Sequence, residues 1–554
     1  MKLQGVHKKR LWYVMLVGLA VLITLDLYNA VALNNSKSYQ LLHPVSQVKR
    51  DPPTPETTVA VVRTNTPGIP NPVDPDKLGK AITTQQVEQL VRHAVALIGG
   101  MDKVVKPDDK LVLIKPNWVI ADRSGSGSIT DQRVVRAVVK LVYEANPNAE
   151  IVVADGPGGW IDAGYAAQYK HNARVVDGLT LNGYRAMVDE LLSDPTMPGL
   201  KLRLGDLNVP IVETIQVKVP NGGWYQDVYW THRLVRDADV LIQVPVMKVH
   251  GTRITGGLKN NIGIGPGSRY GWSKSGLDHN PAVIDKVIVD LAAISGTDLI
   301  VIDAVTALEK AYTTANGSPL YRNMIIAGHD IVAVDTVMAR LMGFNPEDIS
   351  HLQMAALSGL GIGDLERINI VGETIESAAY LFQKNIMHQD WLGRSKEGQS
   401  NRFWTMYLSK TEIDPTTIPT PGKNGWTEVL YASDDFIDIS KAFPGQLGKY
   451  YYAFTKFSVA ESQKAELRVG SSTHIKVWID GKLVHNYGAL IRRHVMPNDV
   501  IPITLEQGEH TLLVEIGNGT FNLTIAEPVP NNVPQPQYRD RYEGTRVHGL
   551  KFYL

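Results

Sequence analysis

The sequence predicts an α/β protein, a mostly parallel sheet flanked by helices, with a C-terminal antiparallel β-sandwich and an N-terminal membrane helix. Three observations predict it. Between about residues 57 and 373, continuous apolar runs alternate with stretches of helical spacing, as in a sheet buried on both faces. Between about residues 431 and 527 the pattern becomes short alternating segments separated by turn residues, as in a sandwich. Ahead of both, Lys8, Lys9 and Arg10 precede the apolar run Leu11 to Leu25.

That run spans about 22 Å as a helix, and continuing it to Leu33 brings it to the roughly 30 Å of a hydrocarbon core. Residues 1–34 therefore read as a signal anchor, or as a signal peptide cut near Ala30–Ala32. The basic flank keeps the N-terminus in the cytoplasm and sends the body across; cleavage would make the protein secreted. Residues 35–56 are a polar spacer ending in "RDPPTPE".

The α/β region opens with the strand "TTVAVVR" and the helix "TTQQVEQLVRHAVALIGG", apolar at Val87, Leu90, Val91 and Val95. "KLVLIKPNW" is the second strand. "TDQRVVRAVVKLVYEANP" is a helix capped by Thr130 or Asp131. Further strands follow in "AEIVVADGPGG", "ADVLIQVPV", "TDLIVIDAV", "NMIIAG" and "RINIVG", with helices in "PAVIDKVIVDLAAIS" and "DIVAVDTVMARLMG". An insertion at about 160–236 interrupts the rhythm and holds a hairpin around Asn221-Gly222-Gly223. Residues 374–430 read as a helix and connector, 431–527 as the sandwich with an Asp480-Gly481 hairpin turn, and 528–554 as a tail.

At 554 residues the chain exceeds a single ordinary core. Acidic and basic residues balance at 56 each, so no global field points to nucleic acid as a partner. The chain has no cysteine, which excludes disulfides, zinc–thiolate sites and cysteine-ligated iron–sulfur clusters.

In an open α/β sheet, ligands bind beyond the C-terminal strand ends. The expected strands end there in Lys115 and Asn117, in Asp155, in Lys248 and His250 before "GTRITGGLKNNIGIGPG", in Asp303, and in His329 and Asp330. Glycines let backbone N–H groups approach an anion, and lysines add charge. Neither a phosphate-binding P-loop nor a dinucleotide fingerprint is present. Each residue also has a bland reading. Lys115 can snorkel, Asp155 can cap a turn, His250 can be structural, and Lys259 and Asn260 can be ordinary loop residues. Asp303 and Asp335 can be helix caps or partners of the lysines. A divalent metal at Asp155, His250, Asp303 and His329 is open, although no metal motif fixes it. In the sandwich, Trp426, Trp478 and Tyr487 are either core or sugar-stacking residues.

"LIKPNW", "VVADGPG", "VPVMKVHGTRITGGLKNNIGIGPG", "LIVIDAV" and "HDIVAVDTVMARLMG", in this order over about Thr57 to Glu373, resemble the Domain of Unknown Function 362 family. The resemblance implies functional positions at Lys115, Asn117, Asp155, Lys248, His250, Lys259, Asn260 and Asp335. It implies no set activity. Relatives with ferredoxin-type cysteines resemble iron–sulfur proteins, a role that does not transfer to a chain without cysteine. The C-terminal region resembles the galactose-binding-like modules of secreted enzymes, at the level of fold.

These observations lead to a membrane-tethered, extracytoplasmic protein that binds, and as an enzyme would transform, an anionic phosphate or carboxylate, such as an envelope component. Lys115, Asn117, Lys248, Lys259, Asn260, Asp303 and Asp335 would bind the ligand. His250 or Asp155 would move a proton. The alternative is a non-catalytic envelope surface protein whose sandwich binds carbohydrate or a protein partner.

Overall fold

The helix expected over "TTQQVEQLVRHAVAL" forms at Thr84–Leu97 (α1), and the Thr83 side chain and Gln86 close a reciprocal capping box at its start. Its apolar stripe, Val87, Leu90, Val91, Ala94 and Val95, is buried against the sheet. A second helix, Gln132–Ala145 (α2), starts at Asp131, whose carboxylate accepts the Arg133 N–H. The computed structural model describes residues 42–44, 57–64, 82–158, 178–271, 273–279, 283–344, 346–380, 382–383, 399–432, 437–495, 497–526, 528 and 551–553. The expected membrane segment, residues 1–34, lies outside them, and among the described residues no helix is long and apolar enough to cross a membrane.

The strands of the α/β body are Thr57–Arg63 (β1), Leu111–Pro116 (β2), Glu150–Asp155 (β3), Lys201–Asp206 (β4), Val240–Val244 (β5), Val246–His250 (β6), Arg253–Thr255 (β7), Leu299–Glu309 (β8), Ser318–Gly328 (β9) and Ile368–Gly372 (β10). They make one sheet in the order β10-β1-β9-β8-β5-β2-β3-β4, with the short hairpin β6–β7 attached to β8. All neighbours along this order pair in parallel except those involving β9, which runs against β8 and β1. The reason is local: β8 and β9 are joined by a short loop without a helix, and a parallel return needs a crossover of a dozen or more residues.

Side chains alternate between two cores, as period-two geometry requires. Val59, Val61, Leu113 and Val152 face one layer, with the helices Ile284–Ser295 (α5) and Ile331–Leu341 (α6). Ala60, Val62, Val112, Ile114, Ile151 and Val153 face the other, with α1 and α2. Both faces are therefore covered, which explains why these strands read as continuous apolar runs.

The stretch expected as an insertion contributes to the sheet. Its helix Tyr184–Leu192 (α3) and its edge strand β4 extend the βα rhythm, and β4 pairs with β3 along its length. The expected hairpin is present, Thr214–Lys218 against Val228–His232, with Asn221 and Gly222 at positive φ in its turn region. Asp290 of α5 holds its loop. The carboxylate accepts the N–H groups of Trp224, Tyr225 and Gln226 at 2.6, 2.9 and 3.1 Å, and the Tyr229 hydroxyl at 2.9 Å.

The C-terminal region consists of antiparallel sheets around a separate core that includes Trp404, Phe457, Leu467, Val514 and Phe521. Strands outside the expected 431–527 span join it. Phe403–Ser409 pairs with Tyr450–Val459, Leu42–Pro44 with Leu430–Ala432, and Lys551–Tyr553 with Tyr450–Val459. The Asp480-Gly481 turn links Ile475–Ile479 to Lys482–Tyr487, with φ of 51 and 73°. Trp224 meets Tyr431 edge-to-face at 6.0 Å, where the α/β body touches the sandwich.

Candidate functional site

The parallel strands bring a group of lysines beneath the glycine-rich segment. At the end of β2, Lys115 is fully buried, and its Nζ lies 2.7 Å from the Asp155 carboxylate at the end of β3. The same carboxylate accepts the Gly156 N–H at 2.8 Å and the Trp118 N–H at 2.7 Å. A Cβ at Gly263 would fall 2.1 Å from Asp155 Oδ1 and 2.7 Å from Lys115 Nζ, so glycine there lets the segment lie directly on the ion pair. Burial first pushes the Lys115 pKa down, and Asp155 opposes it.

Lys248, on β6, is buried without a counter-ion. Its Nζ donates to Asn117 Oδ1 at 2.8 Å and to the Ser128 carbonyl, and among the described residues no carboxylate forms an ion pair with it. Burial and then the Lys259 charge hold its pKa well below the usual lysine range. Asn117 also donates to Asn260 Oδ1 at 3.1 Å. Asn260 Nδ2 in turn donates to Gln243 Oε1 at 2.9 Å and to the Lys115 carbonyl at 3.3 Å. An amide network thus ties β2, β5 and the short helix Gly257–Asn260 (α4) together.

Lys259 lies on α4 and is partly exposed. Among the described residues its amine has no hydrogen-bond or ion-pair partner. Burial pushes its pKa down to about 8, with Lys115 adding to the effect and Asp285 opposing it. A lysine not anticipated from the sequence completes the group. Lys274 is buried, donates to Asn208 Oδ1 and to the Gly265 carbonyl at 2.5 Å, and has its pKa pushed down to about 7, first by burial. A Cβ on Gly156 would lie 3.0 Å from its Nζ. No strand-end pattern marks "GWSKSG"; the residue lies in the loop just after the glycine-rich segment and is clamped by the remote Asn208, which also accepts the Gly267 N–H at 2.8 Å.

The remaining candidates occupy other surroundings. His250 is partly exposed; its Nδ1 accepts the Thr252 N–H at 3.2 Å, and its ring lies 4.9 Å from that of Tyr312. A neutral ring so held carries its proton on Nε2. Asp303 is buried and accepts the N–H groups of Asp131 and Val305 at 2.7 and 3.0 Å. Burial and then the Asp131 carboxylate push its pKa up to about 8. Asp335 accepts the Gly257 and Leu258 N–H groups at 2.7 and 2.9 Å, capping the start of α4, and burial pushes its pKa up to about 6. Neither aspartate forms an ion pair with a lysine among the described residues.

His329 does not reach this rim. Because β9 runs antiparallel, Gly328 lies beside Ile300, near the start of β8, and His329 sits against the carbonyls of Asp298 and Ile98 at the opposite end of the sheet. Asp330 follows it and caps α6. The four-ligand group of Asp155, His250, Asp303 and His329 is therefore not assembled. Among the described residues no three His, Asp or Glu side chains gather as a metal site. In the sandwich, Trp426 is buried and stacks on Tyr407 at 5.1 Å, Trp478 packs beside that cluster, and the Tyr487 ring is covered by Arg492 at 3.8 Å.

The family model "Domain of unknown function (DUF362)" matches residues 112–340, the stretch that contains all of these lysines. The thylakoid-associated protein of Synechocystis sp. is 30% identical over 281 residues, covering 49% of this chain and 74% of that protein. The chain belongs to the DUF362 family. Its family region thus runs from β2 to the end of α6, while the sandwich lies outside the matched stretch. Among solved structures, the lactate racemase apoprotein from Thermoanaerobacterium thermosaccharolyticum overlaps 50% of this chain and 59% of its own at 11% identity, with a TM-score of 0.26. A β-glucuronidase of Faecalibacterium prausnitzii overlaps 22% of each chain at 14% identity, with a TM-score of 0.15. Overlaps this weak carry no inference about activity.

Proposed function

We propose that this DUF362 protein binds a small anion, a phosphate or a carboxylate, over the lysine group at the strand ends. One observation carries the reading: Lys115, Lys248, Lys259 and Lys274 act on one another electrostatically, and Asp155 is their single ion-paired carboxylate among the described residues. Crowded lysines repel one another, and burial removes their hydration; a bound anion relieves both effects. Lys259, partly exposed and unpaired among the described residues, supplies the direct contact, and the bound anion favours the protonated forms of the buried Lys248 and Lys274 behind it. His250 and Asp155 remain the proposed proton-moving groups, Asp155 only if ligand loosens its bond to Lys115.

Melting curves with millimolar phosphate, sulfate and small carboxylates test the reading. Anion-dependent stabilisation should appear and should weaken with added chloride salt. Lys259→Met should abolish it while leaving a folded protein, since that amine has no partner among the described residues. Unchanged stabilisation in Lys259→Met would overturn the site.

We further propose that residues 1–34 anchor the body on the extracytoplasmic side of a membrane. The basic flank and the apolar run support this, as does the name of the thylakoid-associated relative. Protease added to cells with an opened envelope and an intact inner membrane should digest the body; full protection would exclude that topology.

A further inference from the structure

The Lys259 amine combines features that the other three lysines lack. Lys115 is committed to Asp155, Lys248 to Asn117 and Ser128, and Lys274 to Asn208 and Gly265. Lys259 has no such partner among the described residues, and the residue is partly exposed. Its backbone is held rigidly. Asp335 caps α4, a Cβ at Gly256 would fall 2.1 Å from that carboxylate, and the neighbouring Asn260 is bound to Asn117 and Gln243. An unpaired amine on a fixed backbone, beside buried lysines and on a partly exposed residue, is arranged as a nucleophile.

We propose that Lys259 forms an imine with an anionic carbonyl compound, a 2-oxo acid or an aldehyde that carries a carboxylate or phosphate. The proposal rests on the anion-binding reading above and extends it by naming the ligand class. The amine nitrogen attacks the carbonyl carbon, and both amine protons leave with the carbonyl oxygen as water, so the C=N bond replaces C=O without any oxidant or reductant. The ligand's negative charge lies over the buried lysines. Among the described residues, the charged and titratable groups linked electrostatically to Lys259 are Asp285 of α5 and Lys115 of β2, which act on it, and Lys248 of β6 and His279 on the loop that carries Lys274, on which it acts. Burial and Lys115 favour the neutral amine, the form that attacks, and Asp285 opposes them.

Glyoxylate with cyanoborohydride, followed by peptide mapping of the full chain, tests this, because the hydride converts any imine to a stable secondary amine. At pH 7.5 Lys259 should be labelled at least about ten-fold faster than the exposed Lys410 and Lys464. Sulfate should slow labelling at Lys259 and leave Lys410 and Lys464 unchanged. Labelling of Lys259 no faster than at the exposed lysines would overturn the imine, and so would a rate indifferent to sulfate. Melting of the same sample with sulfate separates the two ideas. Stabilisation without selective labelling leaves an anion site and removes the imine; the absence of both removes the site as well.

Discussion

Gly263 shows how much of the site turns on single positions. Its missing side chain is what allows the glycine-rich segment to rest on the Lys115–Asp155 pair. Gly263→Ala should push these groups apart and leave buried charge uncompensated, a loss of about 3 kcal/mol or more by denaturant titration. The titrating residues make a second prediction. The Lys274 pKa lies near 7 in the folded chain against 10.5 for an unperturbed lysine. The native state therefore binds fewer protons between those values, so stability rises with pH from about 7 toward 10.5 and is lost as pH falls toward 7. Asp303 acts in the opposite sense. With its pKa raised from 3.8 to about 8, its contribution is present below the unfolded value and is lost as pH climbs to about 8. Melting temperature against pH should thus lose part of its rise above pH 7 in Lys274→Met, and part of its fall below pH 8 in Asp303→Asn. Parallel profiles for the wild type and both variants would refute these assignments. Sulfate, whose charge is constant in this range, should bind more weakly as pH passes about 8 and Lys259 loses its proton.

Among the elements, α4 depends on a carboxylate from another helix. Asp335 supplies acceptors to its first N–H groups, in place of a capping side chain of its own. Asp335→Ala should destabilise the fold by about 1–2 kcal/mol, as loss of a cap does, and should also weaken anion binding, because α4 carries Lys259. Intact anion-dependent stabilisation in this variant would show that α4 keeps its place without the cap. The same helix explains a limit of the sequence. "GGLKNNIG" reads as a glycine-rich loop, yet it contains a helical turn fixed by a residue some eighty positions away. The direction of β9 was equally hidden, because "NMIIAG" has the same apolar character in either orientation. Only the short β8–β9 connection discriminates, and it decides which end of the sheet receives His329.

Across the whole molecule, the sandwich recruits strands from three separated stretches of chain. Phe403–Ser409 lies between Leu430–Ala432 and Tyr450–Val459 in its sheet, so a fragment that starts at Pro421 leaves an interior strand missing. A fragment of residues 399–554 should be soluble and melt cooperatively, whereas residues 421–554 should be aggregated or unfolded. Equal behaviour of the two in circular dichroism melts would show that this strand is dispensable.

Much of the architecture was legible in the residues because burial on both faces writes strands as unbroken apolar runs, and helices as stripes at Val87, Leu90, Val91 and Val95. Local chemistry likewise marked the Asp131 cap, the Asn221-Gly222 hairpin and the strand-end lysines. Tertiary structure alone decided the partners. That Lys115 pairs with Asp155 rather than Asp303 or Asp335, that Lys274 is held by the remote Asn208, and that Lys259 is left unpaired among the described residues all follow from how strands and loops converge. Hydrogen-bond partners and the loss of solvent are properties of that convergence, and no residue's neighbours along the chain encode them.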